Sequence, residues 1–187
     1  MKMISAALAA LLVSSSLAQA DAPVTAGRWT DEACTGQGKN TALVVTAGSQ
    51  YSANNEVGPL LALQFGRLGS GVPAESGIAQ SFTLTSTSVQ TAEFDVSLFI
   101  SKPTTTFTDK TAPAILAADV PLVRGPIKLT ANFSGLGTHT VYTLDQIAKA
   151  IKLPPGTGQI WAVITTTGTP TFTTTTDLQL CIGVLKD

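Results

Sequence analysis

Between Ala92 and Ser101 the chain reads AEFDVSLFIS, where Phe94, Val96, Leu98 and Ile100 alternate with Asp95, Ser97 and Phe99. A period of two puts the first set on one face of an extended strand and the second on the other, so the segment buries an apolar face only as a β-strand. Phe99 then faces outward, toward a second layer, a loop or a partner. Short segments rich in Val, Ile, Leu and Thr recur at 41–47 (TALVVTA), Leu60–Phe65, Ala79–Ser86, Ile127–Ala131, Thr138–Tyr142, Gln159–Thr167 and Leu178–Leu185. Turn signals such as Gly48-Ser49, Asn54-Asn55 and the Gly/Pro-containing run Arg67–Gly77 separate them. This alternation of short strands and turns predicts an all-β fold, an antiparallel β-sandwich that is jelly-roll-like.

Two segments depart from the period of two. In Thr143–Leu153 (TLDQIAKAIKL), Leu144, Ile147, Ala148 and Ile151 fall at helical spacing, Thr143 and Gln146 stand as in a capping box, and Pro154-Pro155-Gly156 follows. Pro113–Asp119 (PAILAAD) reads as one or two helical turns with Pro at the first position. The sandwich is therefore expected to carry one or two short helices.

Polarity in this chain comes from hydroxyls. Charged residues make up 12% of it, while 28 of its 187 residues are Thr. Eleven basic residues against twelve acidic ones give a net charge of −1, which excludes the dense basic stripe of a nucleic-acid surface. One His and two Cys exclude multi-Cys/His metal centres.

Residues 1–20 (MKMISAALAALLVSSSLAQA) combine a basic start at Lys2, an uncharged Ala/Leu/Val/Ser core from Ile4 to Leu17, and small residues at Ala18 and Ala20. That is the pattern of a secretory signal peptide; the alternative is an N-terminal arm that is retained. Residues 21–40 read as an irregular lead-in with Trp29 as its one large anchor, and 41–187 as the sandwich domain. Cys34 and Cys181 could pair in an oxidising compartment, closing a loop worth roughly 4–5 kcal/mol in the chain-entropy model; the alternative is two buried free thiols.

Candidates for catalysis are few. His139 lies at a Thr-flanked strand start, and no Gly-x-Ser-x-Gly elbow is present. Glu93 and Asp95 share the outward face of one strand, and Asp31-Glu32 are adjacent in the lead-in. Paired carboxylates serve glycoside hydrolysis or Ca²⁺ binding, but exposed aromatics are scarce and no EF-hand spacing occurs, so Glu93/Asp95 read as a solvated face. Asn132-Phe133-Ser134 fits a glycosylation sequon. No catalytic, cofactor or metal residue is assigned. The Thr runs 104–106, 165–167 and 173–176 suit strands and a low-charge surface able to lie against a neighbour.

From about Gln50 onward the order of motifs resembles a family of small tailed-phage and prophage virion proteins. Tyr51-Ser-Ala-Asn-Asn-Glu-Val57-Gly58 is similar to that family's Tyr–x–x–Asn/Asp–x–Val–Gly opening, and Leu60–Phe65 to the strand after it. Ser97–Pro103, Phe107-Thr108-Asp109 and Ala117-Ala118-Asp119 follow in the family's order, and Trp161–Thr167, Gly168–Thr171 and Leu178–Leu185 resemble its closing pair of strands. The resemblance implies a β-sandwich structural protein of a virion, most often a capsid decoration or similar accessory component, without enzymatic activity. Its expected partners are the major capsid protein or copies of itself, in a homo-oligomer, with no nucleic acid and no membrane after any cleavage. The N-terminus departs from the family, whose members start near the first strand. The competing expectations are a secreted or periplasmic binding or adhesion module and a secreted hydrolase.

Overall fold

A computed structural model describes residues 30–65, 76–130, 137–152 and 158–186. Among these residues eight strands form two antiparallel four-stranded sheets. They are β1 (Thr30–Cys34), β2 (Leu61–Gln64), β3 (Ser76–Ser86), β4 (Phe94–Phe99), β5 (Val123–Leu129), β6 (Thr140–Lys152), β7 (Gln159–Thr166) and β8 (Leu178–Lys186). One sheet has the order β1-β8-β3-β6, the other β2-β7-β4-β5. Strands are thus paired first with last, second with seventh, third with sixth and fourth with fifth, as if one long hairpin had been rolled into two layers.

The sheets pack face to face through alternating side chains, which gives a β-sandwich. Phe82, Leu84, Leu180, Ile182 and Val184 from one sheet meet Leu61, Leu63, Phe94, Val96, Leu98 and Ile164 from the other, all within 2% of full burial. At the centre Phe94 meets Tyr142 edge-on at 5.2 Å and lies 6.5 Å from Phe172, which in turn meets Tyr51 edge-on at 5.2 Å. The Tyr142 hydroxyl donates to the Ala92 carbonyl at 2.8 Å, so the polar tip of this core ring is satisfied.

Neither expected helix forms. Pro113–Asp119 is irregular and leads into a single 3-10 turn, Val120–Leu122. Thr143–Lys152 belongs to β6, an edge strand paired to β3. The apparent helical period has a specific origin. The single step from Val184 to Gly183 on β8 is matched by two residues on β3 (Ala79 to Ser81) and by four on β6 (Lys149 to Asp145). The excess on β6 is odd, so the inward-facing set changes parity across the bulge. Tyr142 and Leu144 point inward before it, and Ile147 and Ile151 after it. The resulting steps of three and four residues imitate a helix. Gln146 and Ala148 absorb the bulge at φ values of 59° and 49°.

Two further expectations shift. The sandwich begins earlier than position 41, because β1 lies within the stretch read as an irregular lead-in. TDEAC carries no strand pattern of its own, and pairing to β8 makes it a strand. Conversely, 41–47 is not a regular strand. It buries Leu43 and Val45 but contributes only the isolated bridge of Ala47 to Phe172. The expected turns around 67–75 and 154–156 lie outside the described residues. Among the described residues no helix is long and apolar enough to cross a membrane.

Candidate functional site

The residues singled out for chemistry are dispersed. His139 is exposed, with Nδ1 2.9 Å from the Thr87 carbonyl oxygen. Glu93 pairs with Lys128 at 2.6 Å, and Asp95 stands opposite Lys128 in the β4·β5 register, so these carboxylates form a half-exposed cross-strand charge cluster. The Glu93 carboxylate raises the Lys128 pKa. Asp31 and Glu32 lie on the edge strand β1. Cys34 and Cys181 face each other across β1 and β8 with Cα atoms 4.0 Å apart and are joined in a disulfide. Glu32 lies beside the two sulfurs, but disulfide sulfurs offer no thiolate to a metal. Asn132, Phe133 and Ser134 lie outside the described residues.

What the fold does assemble is a strap. After β4 the chain runs from Ile100 to Leu122 before entering β5, and the Ile100 N–H donates to the Leu122 carbonyl at 3.1 Å to close its base. Phe99, on the outward face of β4, is fully buried because the strap residue Phe107 covers it at 5.6 Å between ring centres. An outward Phe in a strand thus signals the covering layer.

Asp109 pins the far end of the strap. Its carboxylate accepts the Tyr51 hydroxyl at 2.7 and 2.8 Å, the Gly58 N–H at 2.7 Å, the Thr46 N–H at 2.9 Å and the Thr46 hydroxyl at 2.6 Å. Burial, then the Asp109 carboxylate, pushes the Tyr51 hydroxyl well above its usual pKa. Lys110 donates to the Ser49 hydroxyl at 2.6 Å and sits 5.4 Å from the Tyr51 ring centre. Main-chain bonds from Glu56 N–H to Thr111 and from Lys110 N–H to Glu56 fix the turn beside it, at 2.9 and 3.0 Å.

Asp119 pins the returning limb. It accepts the Thr104 N–H at 3.0 Å, the Thr105 N–H at 2.7 Å and the Thr105 hydroxyl at 2.6 Å, and the Thr104 hydroxyl adds longer contacts. The Thr105 hydroxyl and the Thr104 amide lead in holding the Asp119 carboxyl at about 2. The Thr105 hydroxyl oxygen in turn accepts the Leu116 N–H at 3.0 Å.

At the other end of the sandwich Asp177 plays a similar part. It accepts the Thr87 hydroxyl, the Ser88 hydroxyl at 2.7 Å, and the Thr173 N–H at 2.9 Å. Burial alone would raise its pKa, but these hydrogen bonds outweigh it and hold the carboxyl below the usual range.

Asp109, Asp119 and Asp177 are therefore spent on ordering loops. Residue type alone does not separate them from solvated acids. The available signal is their company of Thr in a chain poor in charge, since threonine hydroxyls and amides are the donors a buried carboxylate needs. A shallow polar groove of about 430 Å³ lies between 89–92 and 168–171, and no titratable side chain lines it. The surface feature the strap creates is apolar: from Thr111 to Val123 the single charged residue, Asp119, is 2% exposed, while Ile115, Leu116 and Val120 are 38, 52 and 59% exposed. Compared with family models, with curated proteins and with solved structures, the chain matches none.

Proposed function

We propose that the chain is a non-enzymatic structural subunit of a phage virion, a capsid decoration or similar accessory protein that acts by packing against other protein surfaces. The observation that carries this reading is the strap: a charge-free exposed face at Ile115, Leu116 and Val120, displayed on a segment held by the half-buried Asp109 and the buried Asp119 carboxylates. A preordered apolar face loses little conformational entropy on docking, and charge depletion is what interface cores select. Two observations support it further. The rolled strand order is the winding of a jelly roll, which we take this sandwich to be, and viral capsid domains use that architecture. Two segments that resemble virion proteins also meet in space: Tyr51 and Gly58 of the opening bind Asp109 of Phe107-Thr108-Asp109. Neither fold nor resemblance names a function by itself, so the test addresses the face directly.

The experiment is mass spectrometry of purified particles, together with a Leu116→Glu, Val120→Glu double variant. The chain is expected in the particle, and the variant is expected to fold but to be lost from it. A chain absent from particles, or a variant incorporated like the parent, overturns the proposal.

A second reading rests on a separate observation. The Cys34–Cys181 disulfide, together with the signal-like residues 1–20, favours export and a secreted or periplasmic binding module. A native N-terminus at Asp21, in cells making no particles, would select it.

A further inference from the structure

We infer that Glu56 is a proton-controlled latch on the strap: protonated, its carboxyl lets the 108–111 turn sit down on the sandwich, and its ionisation loosens that turn. Glu56 bridges to Thr165 of β7 through its main chain and is 1% exposed. One of its carboxyl oxygens, Oε2, is buried without a hydrogen-bond partner. The Thr108 amide of the strap supports the carboxyl, and its main chain exchanges two hydrogen bonds with Lys110 and Thr111. Glu56 thus lies directly beneath the strap's tip.

The charged and titratable groups around it favour the neutral acid. Asp109 from the strap is the near charge, and it carries the same sign. Lys110 is turned toward Ser49 and the Tyr51 ring, and the Tyr51 hydroxyl is committed to Asp109. The β7 neighbour, Thr165, is uncharged, and among the described residues no cation pairs with Glu56. A buried carboxyl facing a like charge keeps its proton to higher pH; burial, then Asp109, pushes Glu56 up to about 7 against the Thr108 amide. Opening the turn admits water to the ionised form, so the tip opens more readily as pH rises. The latch is a property of the isolated chain. Its effect on the apolar face rests on the interface reading, and the test requires no partner.

Amide hydrogen exchange at Thr108 and Lys110, corrected for intrinsic rates, should show protection falling about tenfold or more between roughly pH 5.5 and 8.5. In Glu56→Gln the protection should stay level. Carbon-13 NMR titration of the wild-type Glu56 carboxyl provides a readout independent of the variant, and should place its midpoint near 7. Parallel exchange profiles in the two proteins, or a Glu56 midpoint near the ordinary 4.5, would overturn the inference.

Discussion

The Tyr51 hydroxyl donates to the Asp109 carboxylate at 2.7 Å, joining positions 58 residues apart. Tyr51 also meets Phe172 edge-on at 5.2 Å, so one side chain ties the strap to the aromatic core. The same hydroxyl accepts the Thr46 N–H at 2.8 Å.

Asp109→Ala removes the acceptor of four donor groups from Tyr51, Thr46 and Gly58, of which the Thr46 N–H alone keeps a second one in the Tyr51 hydroxyl, and should cost about 2–4 kcal/mol. Tyr51→Phe removes one donor, spares the ring packing, and should cost about 1 kcal/mol. Because both act through one network, the double variant should lose less than the sum, which denaturant titration of the full cycle measures.

Gly58→Ala should destabilise by about 1–3 kcal/mol. Gly58 has φ +81°, and an added Cβ would lie 2.5 Å from Leu43 Cδ1 and 3.2 Å from the Val44 carbonyl oxygen. Its amide must also keep its aim at Asp109. A midpoint of thermal unfolding equal to the parent's would contradict this.

Reducing the Cys34–Cys181 bridge, which spans 147 residues of sequence, should lower stability by roughly 3–5 kcal/mol. The bridge also fixes the edge strand β1 in register on β8. Urea unfolding with and without reductant, and of Cys34→Ser, checks the value. A shift confined to β1 exchange would limit the bridge to a local role.

Stability should peak near about pH 4–5 and fall on both sides. Asp119 and Asp177 have lowered folded-state pKa values, so their contribution is present above the ordinary 3.8 and lost as pH falls, toward about 2 for Asp119. Glu56 is raised from 4.5 to about 7, so its contribution is present below 4.5 and lost as pH rises through 7. Thermal melts across pH should show this dome. Glu56→Gln should flatten its alkaline side, and Asp119→Asn its acid side.

Much of the sandwich is legible in one dimension. The alternation in Phe94–Leu98 and Leu178–Leu185 encodes strands with one buried face, because a period of two can bury an apolar set only in an extended chain. The outward Phe99 also announces a covering segment, though not which one.

Other features exist only through contact. β1 is a strand because β8 lies beside it, and Thr143–Lys152 is one because its bulge alternates parity against β3. Asp109, Asp119 and Asp177 look like any other acid until threonine hydroxyls and main-chain amides converge on them. Hydrophobic periodicity is local, so the residues alone mark most strands and the face each one buries. The register, the strap, and the half-buried Asp109 and buried Asp119 that hold it arise only on folding, since they depend on partners far along the chain.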